Sequence, residues 1–377
     1  MPIPQQALFE QFVASLDHAR TVSPFFKAQH PEFGNESTAT KKDFFLDVDK
    51  QAHQLREQHN AQHAQVVQAR SAKFHDLLKQ IVTQQITENP SQLIHIANID
   101  DFAGPCMDML AKPACSNSLF EPLAMEIPWF FDQIIKIVNA KPFHKTDKNN
   151  NPIKVDTLRT AINFIGFENL QMLLPALIFK RTLPQITDPY PEIKHRIWEL
   201  SVGTANCAKF LAPDYKLNPA FMFMAGMFNY VGKNTVTRIF FKQFDILHKE
   251  QMQSAEKALM KDEFESLRDV TPEPAALAEL VAKHATLVSN AIIKQMTFSY
   301  LPIHTLFGQL AQADYTQHAP QLIKSCERYV QIRMLLKQHL ISADTAKAQL
   351  LQLPFSGKQL TGLNKLAIKQ LQFVDLS

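Results

Sequence analysis

Apolar residues recur at intervals of three and four along most of this chain, and this spacing constrains its fold more than any other feature. Phe74, Leu78 and Ile81 follow it in one segment and Phe130 and Ile134 in another, which places each set on one face of a helix. No segment shows the alternation of apolar and polar residues that is typical of a half-buried strand. Glycine is scarce, with 9 residues in 377, although tight hairpin turns depend on it. The sequence therefore predicts an all-α fold.

Capping residues and prolines divide the pattern into separate helices. Asn218-Pro219 pairs a capping side chain with proline at the first helical position. Asp156 is the expected cap of another helix, Pro175 is expected to kink a third, and Gly232 is the expected end of the helix that follows Asn218. The predicted helices cover residues 124–138, 161–166, 167–180, 192–211, 220–231, 234–248, 251–267, 273–298, 302–313, 320–340, 343–352 and 357–370.

The length of the chain exceeds the usual size of a single hydrophobic core. We expect a helical N-terminal extension at 1–95, a central helical domain at 96–315 and a C-terminal helical extension at 316–377. Residues 56–65 are almost wholly polar, so a long helix there would be exposed or locally broken. Such a helix is either a partner-binding coiled coil or a bundle helix packed on its own domain.

The N-terminal extension also continues the helical spacing and contains several histidines. Because no carboxylates are placed beside them, we interpret these histidines as solvated residues on a helix face rather than metal ligands. The apolar positions are Phe45, Val48, Ala52 and Leu55, and the histidines are His53, His59, His63 and His75.

The bulk composition excludes several classes of partner. A net charge of +3 is too small to indicate nucleic acid or an anionic membrane. The four cysteines form no CxxC pair and no zinc-like spacing with histidine, so we expect free thiols in a reducing compartment. No apolar run of 18 residues and no signal-like start is present, and we therefore expect a cytoplasmic protein.

Residues Ala225–Asn234 carry the frame of a metal-dependent phosphohydrolase motif without its ligands. The frame reads Gly-Leu-Leu-His-Asp-Ile-Gly-Lys, and Gly226, Gly232 and Lys233 stand in register with it. Asn229 replaces the histidine and Tyr230 replaces the aspartate. An amide is a poor ligand, and a phenol ionises near pH ~10, so it stays neutral where a carboxylate would be charged.

Four blocks in the same order resemble the HDOD family, the HD-related output domains of bacterial signalling proteins. They lie within about residues 100–310, and the resemblance does not extend to residues 1–95 or to those after about 315. The blocks are Ile134–Ala140, Ile153–Phe167, Trp198–Ser201 with Ala205 and Ala208 following, and Ala225–Lys233. The resemblance implies a helical bundle and an output or scaffold role in bacterial signal transduction.

The resemblance also locates the ancestral ligand positions. Catalytic HD hydrolases have a histidine at the position of Leu200 and His-Asp at 229 and 230, whereas His284 matches a histidine that the family often keeps. The His-His pair expected near Phe307–Asp314 is absent. We call Leu200, Asn229, Tyr230, Gly232 and His284 the degenerate pocket. We expect no metal, no cofactor and no catalytic residue in it, because a two-metal site needs carboxylate and imidazole ligands.

Two further expectations concern this pocket. We expect His284 to be a hydrogen-bonded core histidine; the alternative is a mononuclear zinc site of His284 with His195 and Glu199, which lie one helical turn apart. The ring of Tyr230 is expected to fill the volume of the lost metals, in a packed polar core, with its hydroxyl bonded to a neighbour such as His284.

The sequence therefore favours a non-catalytic signalling or regulatory module that acts through contact with protein partners. Self-association through the long N-terminal helix fits a scaffold role. The alternative is a divergent metal-dependent phosphohydrolase acting on nucleotides or cyclic dinucleotides. A third class is a small-ligand sensor that reuses the vacated pocket.

Overall fold

The computed structural model describes residues 5–31, 47–140 and 153–371, and of residues 47–55, 57 and 59 it describes the backbone alone. Every regular element in these ranges is a helix, which confirms the predicted all-α fold. The α-helices are α1 (Gln5–Ala14), α2 (Leu16–Val22), α3 (Pro24–Gln29), α4 (Asp47–Glu88), α5 (Leu93–Ile96), α6 (Ala103–Ala111), α7 (Asn117–Met125), α8 (Pro128–Val138), α9 (Leu158–Ile165), α10 (Phe167–Thr182), α11 (Ile193–Leu211), α12 (Pro219–Phe228), α13 (Val231–Lys257), α14 (Lys261–Arg268), α15 (Pro274–Gln295), α16 (Ile303–Ala311), α17 (His318–Lys337), α18 (Ala343–Leu350) and α19 (Gly357–Lys365).

One hydrophobic core runs through all three regions expected from the sequence. Phe9 of α1, Phe240 of α13 and Tyr329 of α17 are all fully buried in it. The two terminal extensions therefore pack into the same core as the central helices. The domain boundaries at 95 and 315 stay a prediction.

Helix α15 lies at the centre of this packing. Its most extensive contacts are with α13, followed by α1 and α16. By length and composition α15 is apolar enough to span a membrane. Helices α9 and α10 meet the same criterion only when they are taken together, and the angle between them is 108°. Packing in the core accounts for the apolar character of α15, since more than half of its apolar window is buried inside the protein.

The predicted end of a helix at Gly232 is wrong. Helix α12 ends at Phe228, and Gly232 lies in the first turn of α13. Helix α13 then continues to Lys257, across the predicted break at 248–251. The break falls at 258–260, where Leu259 has a positive φ of 56°. A glycine in the sequence suits a helix end and a close helix contact equally, and here it serves the second purpose.

Other boundaries follow from local chemistry. The side chain of Asn218 accepts a hydrogen bond from the Phe221 amide at 2.9 Å and caps α12 as expected. The cap of α9 is Thr157 rather than Asp156, because the Thr157 hydroxyl accepts from the Thr160 amide. Gly166 ends α9 with a φ of 78°, a conformation that favours glycine.

The long helix α4 is continuous, and of the side chains that the structure describes between 56 and 65 all except His63 are exposed. Its buried face is formed by Phe74, Leu78, Val82 and Ile86. Phe45 and the polar loop at 144–152 lie outside the described residues, as do the side chains of Val48, Ala52, His53, Leu55 and His59.

One predicted solvated histidine is buried. His75 donates from Nδ1 to the carbonyl of Ser71 at 2.8 Å, and its Nε2 accepts from the Glu273 amide at 3.0 Å. The prediction fails for His75 because α4 packs this face against the loop before α15. His63 lies at the surface, 2.9 Å from a carboxylate oxygen of Asp269.

Candidate functional site

The degenerate pocket forms where the turn between α12 and α13 meets α15. The backbone of Asn229 ends α12, and its amide donates to the carbonyl of Ala225. The carbonyl of Asn229 accepts a hydrogen bond of 3.1 Å from the Ser289 hydroxyl on α15. The turn is therefore fixed to α15 through its own backbone groups, and this contact does not depend on the side chain at position 229.

Gly232 permits the closest approach in this region. Its amide donates to the Ser289 hydroxyl at 2.9 Å. A Cβ atom at this position would lie 1.9 Å from the carbonyl oxygen of Ala285 and 2.5 Å from the Ser289 amide nitrogen. Helices α13 and α15 can pack at this distance only because residue 232 has no side chain.

Tyr230 is almost fully buried, with 1% of its surface exposed. Its hydroxyl lies 2.8 Å from the hydroxyl of Thr204 on α11. The hydroxyl is bonded to a neighbour as expected, but this neighbour is Thr204 rather than His284. Thr204 lies four residues after Leu200 on α11. Residues four apart share a helix face, so this spacing is the sequence signal that would have indicated Thr204 as the partner.

Burial raises the pKa of Tyr230 well above its usual value of 10.0. The negative charge of Glu327 raises the pKa further, and hydrogen bonds with Thr204 and Asn229 offset part of the rise. A phenol in this environment stays protonated at physiological pH. It cannot replace the charged carboxylate of a metal site.

Sequence reasoning missed the residue that seals this pocket, which is Glu10 of α1. Its Oε2 accepts a hydrogen bond of 2.6 Å from Nζ of Lys233, and these side chains are only 5% exposed. The Lys233 ammonium group also lies 5.6 Å from the ring centre of Phe9 and 6.0 Å from that of Tyr230. The signal was a lone charged side chain in α1, which otherwise contains only apolar residues and glutamines, since a charge on a buried face needs a partner.

Helix α1 is held over the pocket at its far end as well. Nη1 of Arg196 on α11 donates to the carbonyls of Phe12 and Val13 at 3.1 and 3.3 Å. These are among the last carbonyls of the helix, which have no partner within it. The N-terminal extension thus covers the pocket with a fixed helix.

The C-terminal extension supplies a second carboxylate. Glu327 on α17 is buried and accepts hydrogen bonds from Lys324 at 2.8 Å and from Gln331 at 3.4 Å. The negative charges of Glu327 and Glu10 both raise the pKa of Lys324, and Glu327 contributes more. Both carboxylates near Tyr230 are therefore held by lysines.

His284 lies on α15 and is buried under α4. Its Nε2 lies 3.2 Å from the hydroxyl of Thr83. Burial lowers the pKa of His284, and the neighbouring charge of Lys283 lowers it further. The ring is a neutral, hydrogen-bonded core group at neutral pH.

The alternative zinc site is not assembled. His195 is exposed, Glu199 pairs with Lys369, and His284 bonds to Thr83. No cluster of three or more His, Cys, Asp or Glu side chains in the described ranges has a geometry that could hold a metal ion. The third position implied by the resemblance, Leu200, is a fully buried apolar side chain. These donors do not fit a site for divalent cations.

Comparison with known families supports the resemblance seen in the motifs. Residues 106–270 match the family model of the HDOD domain. No curated protein and no solved structure matches the chain. The match contains the four motif blocks and the turn at 229–230, whereas Glu10, Glu327 and His284 lie outside it.

Proposed function

Residues 106–270 of this chain are an HDOD domain, and on that premise we propose that the protein is a non-catalytic signalling or regulatory module. It acts through contact with protein partners in the bacterial cytoplasm. The proposal includes no cofactor, no nucleic-acid partner and no membrane partner, and it includes self-association through α4.

The observation that carries the proposal is the way the degenerate pocket is filled. Tyr230 is buried and neutral, and Glu10 neutralises Lys233 from one side. A two-metal phosphohydrolase needs anionic oxygen and imidazole ligands around an accessible substrate path. Here the carboxylates form hydrogen bonds with lysines, and a helix covers the pocket.

A surface suited to protein contact lies along α4. A groove of 840 Å³ runs between α4, the end of α13 and α14. Val66, Leu77 and Met260 line it, and each is an exposed large apolar residue. Clustered exposed apolar side chains rimmed by charges are typical of protein interfaces, and Arg70, Glu250 and Glu263 are among the charged residues of this groove.

The first experiment tests for catalysis. Purified protein is analysed for bound manganese, zinc and magnesium, and hydrolysis of bis(p-nitrophenyl) phosphate and cyclic dinucleotides is measured with each metal added. We expect substoichiometric metal and no turnover, with the same result for a His284→Ala variant. Stoichiometric metal and turnover that are both lost in His284→Ala would establish the phosphohydrolase alternative instead.

The second experiment tests the surface. Affinity capture from the native host is compared for the wild type, Val66→Glu, Leu77→Glu and the control Leu287→Glu, which alters an exposed leucine on α15. We expect the same captured protein with the wild type and the control, and its loss with the two groove variants. Light scattering on the same four proteins measures self-association. Capture and oligomeric state that are unchanged in both groove variants would exclude this surface.

A further inference from the structure

A second cavity lies away from the degenerate pocket, between the end of α10 and the middle of α13. Its volume is 620 Å³, within the range typical of small-molecule sites. Arg181 and Ile186 line one side, and Arg238, Lys242 and Ile246 line the other. The comparisons with known proteins assign no ligand to it.

Positive charge is in excess in this cavity. Arg181, Arg238 and Lys242 line it against one acidic residue, Asp245. Outside the lining, the carboxylate of Asp100 lies 4.0 Å from Nη2 of Arg181, and it already accepts a hydrogen bond from the indole of Trp129. Even with Asp100 counted, the cations exceed the carboxylates by one.

Neutral groups hold the charge of Arg238 in place without cancelling it. The guanidinium of Arg238 donates to the carbonyls of Ile96, Arg181 and Leu183 at 3.0, 2.6 and 2.8 Å. Burial lowers the pKa of Arg238, and the nearby charge of Arg181 lowers it further. The guanidinium of Arg181 lies 4.3 Å from the ring centre of Trp129. Both arginines are thus fixed by contacts with the fold, and both line the same cavity.

The rim of the cavity is apolar and exposed. The side chains of Ile186 and Ile246 are 66% and 40% exposed, and Phe241 is buried between them and the core. Ile186 therefore leaves two-thirds of its surface uncovered by the fold beside a cationic cavity. Cations on the walls and apolar side chains at the mouth together match a ligand that has an anionic group and an apolar part.

We propose that this cavity binds an organic anion, with a carboxylate or phosphate head held by Arg181 and Lys242 and an apolar body covering Ile186 and Ile246. Guanidinium groups bind both kinds of head through paired hydrogen bonds. The head and body have different partners, so the two parts of the ligand are tested separately. This inference goes beyond the proposed function and does not depend on it.

The experiment is calorimetric titration of the full chain with decanoate, adenosine monophosphate and inorganic phosphate at low ionic strength. The variants are Arg181→Gln, Lys242→Gln and Ile186→Ser. The controls are Lys249→Gln, on the same helix outside the cavity, and Leu259→Ser, which replaces another strongly exposed apolar residue. Decanoate and adenosine monophosphate distinguish an acyl from a nucleotide ligand.

We expect one of the two organic probes to bind saturably and more tightly than inorganic phosphate. Arg181→Gln should weaken that binding roughly tenfold, as expected for loss of a charge-assisted hydrogen bond. Lys242→Gln should weaken it by a smaller factor, and Ile186→Ser should weaken the organic probe but not phosphate. Lys242 is exposed and forms no ion pair within the described residues, so this variant tests the site even where Arg181→Gln alters the fold. Failure of both organic probes to saturate, or equal affinity in all variants and controls, would overturn the proposal.

Discussion

Replacing Gly232 by alanine tests whether the contact between α13 and α15 sets the geometry of the degenerate pocket. The added Cβ would lie 1.9 Å from the carbonyl oxygen of Ala285, where even a tight contact needs more than 3.0 Å. The obstacle is backbone, which cannot rotate away as a flexible side chain would. The helices must therefore separate by about 1 Å, or the first turn of α13 must unwind.

The magnitude follows from three contributions. Overpacking costs about 1–3 kcal/mol. The two hydrogen bonds of Ser289, from the Gly232 amide and to the Asn229 carbonyl, contribute about 1 kcal/mol each when intact. Alanine in a helix gains back about 1 kcal/mol relative to glycine. We expect the free energy of unfolding to fall by about 3 kcal/mol.

Gly308→Ala is the matched control. Gly308 lies within α16, and a Cβ there would meet nothing within 4 Å. The same substitution should therefore stabilise the protein by about 0.5–1 kcal/mol. Urea unfolding followed by far-ultraviolet circular dichroism measures both variants. If Gly232→Ala is as stable as the wild type, or gains stability as Gly308→Ala does, the contact between α13 and α15 does not require glycine at position 232 and the reasoning is refuted.

Three further predictions concern charged groups in the core. Lys233→Met leaves Glu10 buried without a counter-charge, so the free energy of unfolding, measured in urea, should fall by about 3–5 kcal/mol. The double variant Glu10→Leu/Lys233→Met should recover most of this loss. Equal stability of the single and double variants would contradict the prediction. Burial alone would raise the pKa of Asp108, but hydrogen bonds from Leu301, Ser299 and Tyr300 lower it below its usual 3.8. Asp108 therefore stabilises the fold above pH ~4. The difference in free energy of unfolding between the wild type and Asp108→Asn should be constant above that pH and should shrink as the pH falls through the lowered pKa. A difference that does not depend on pH would refute this prediction. The pKa of His284 lies below 6.5. Neutral His284 therefore stabilises the fold above that pH, and the effect is lost as the pH falls through the folded pKa. Titration of the histidine ring followed by proton NMR should give the lowered pKa, and a pKa at or above 6.5 would refute the prediction.

The side chains at the three positions compared with metal ligands could be read from the sequence, because they are a matter of residue identity. Leucine, asparagine and tyrosine at 200, 229 and 230 are poor or incapable ligands wherever the backbone places them. The capping of α12 by Asn218 was also predictable, because a cap involves only its neighbours in the chain.

The environment of the pocket was not predictable in the same way. Glu10 and Lys233 are separated by 223 positions, and nothing local specifies that pairing. His75 has the same surroundings in sequence as an exposed helix residue, and only the packing of α4 on the rest of the chain buries it. Gly232 shows the same limit, since a glycine is required both at helix ends and at close helix contacts.

The salt bridge between Glu10 and Lys233 also bears on how the protein is made. Chains are synthesised at about 5–20 residues per second, so Lys233 is added roughly 10–45 s after Glu10, over the 223 positions that separate them. Until then Glu10 has no Lys233 with which to pair, and α15, against which α1 packs, is completed later still. Helix α1 is therefore among the last parts of the fold to reach its final place, although it is among the first of the described helices to be synthesised.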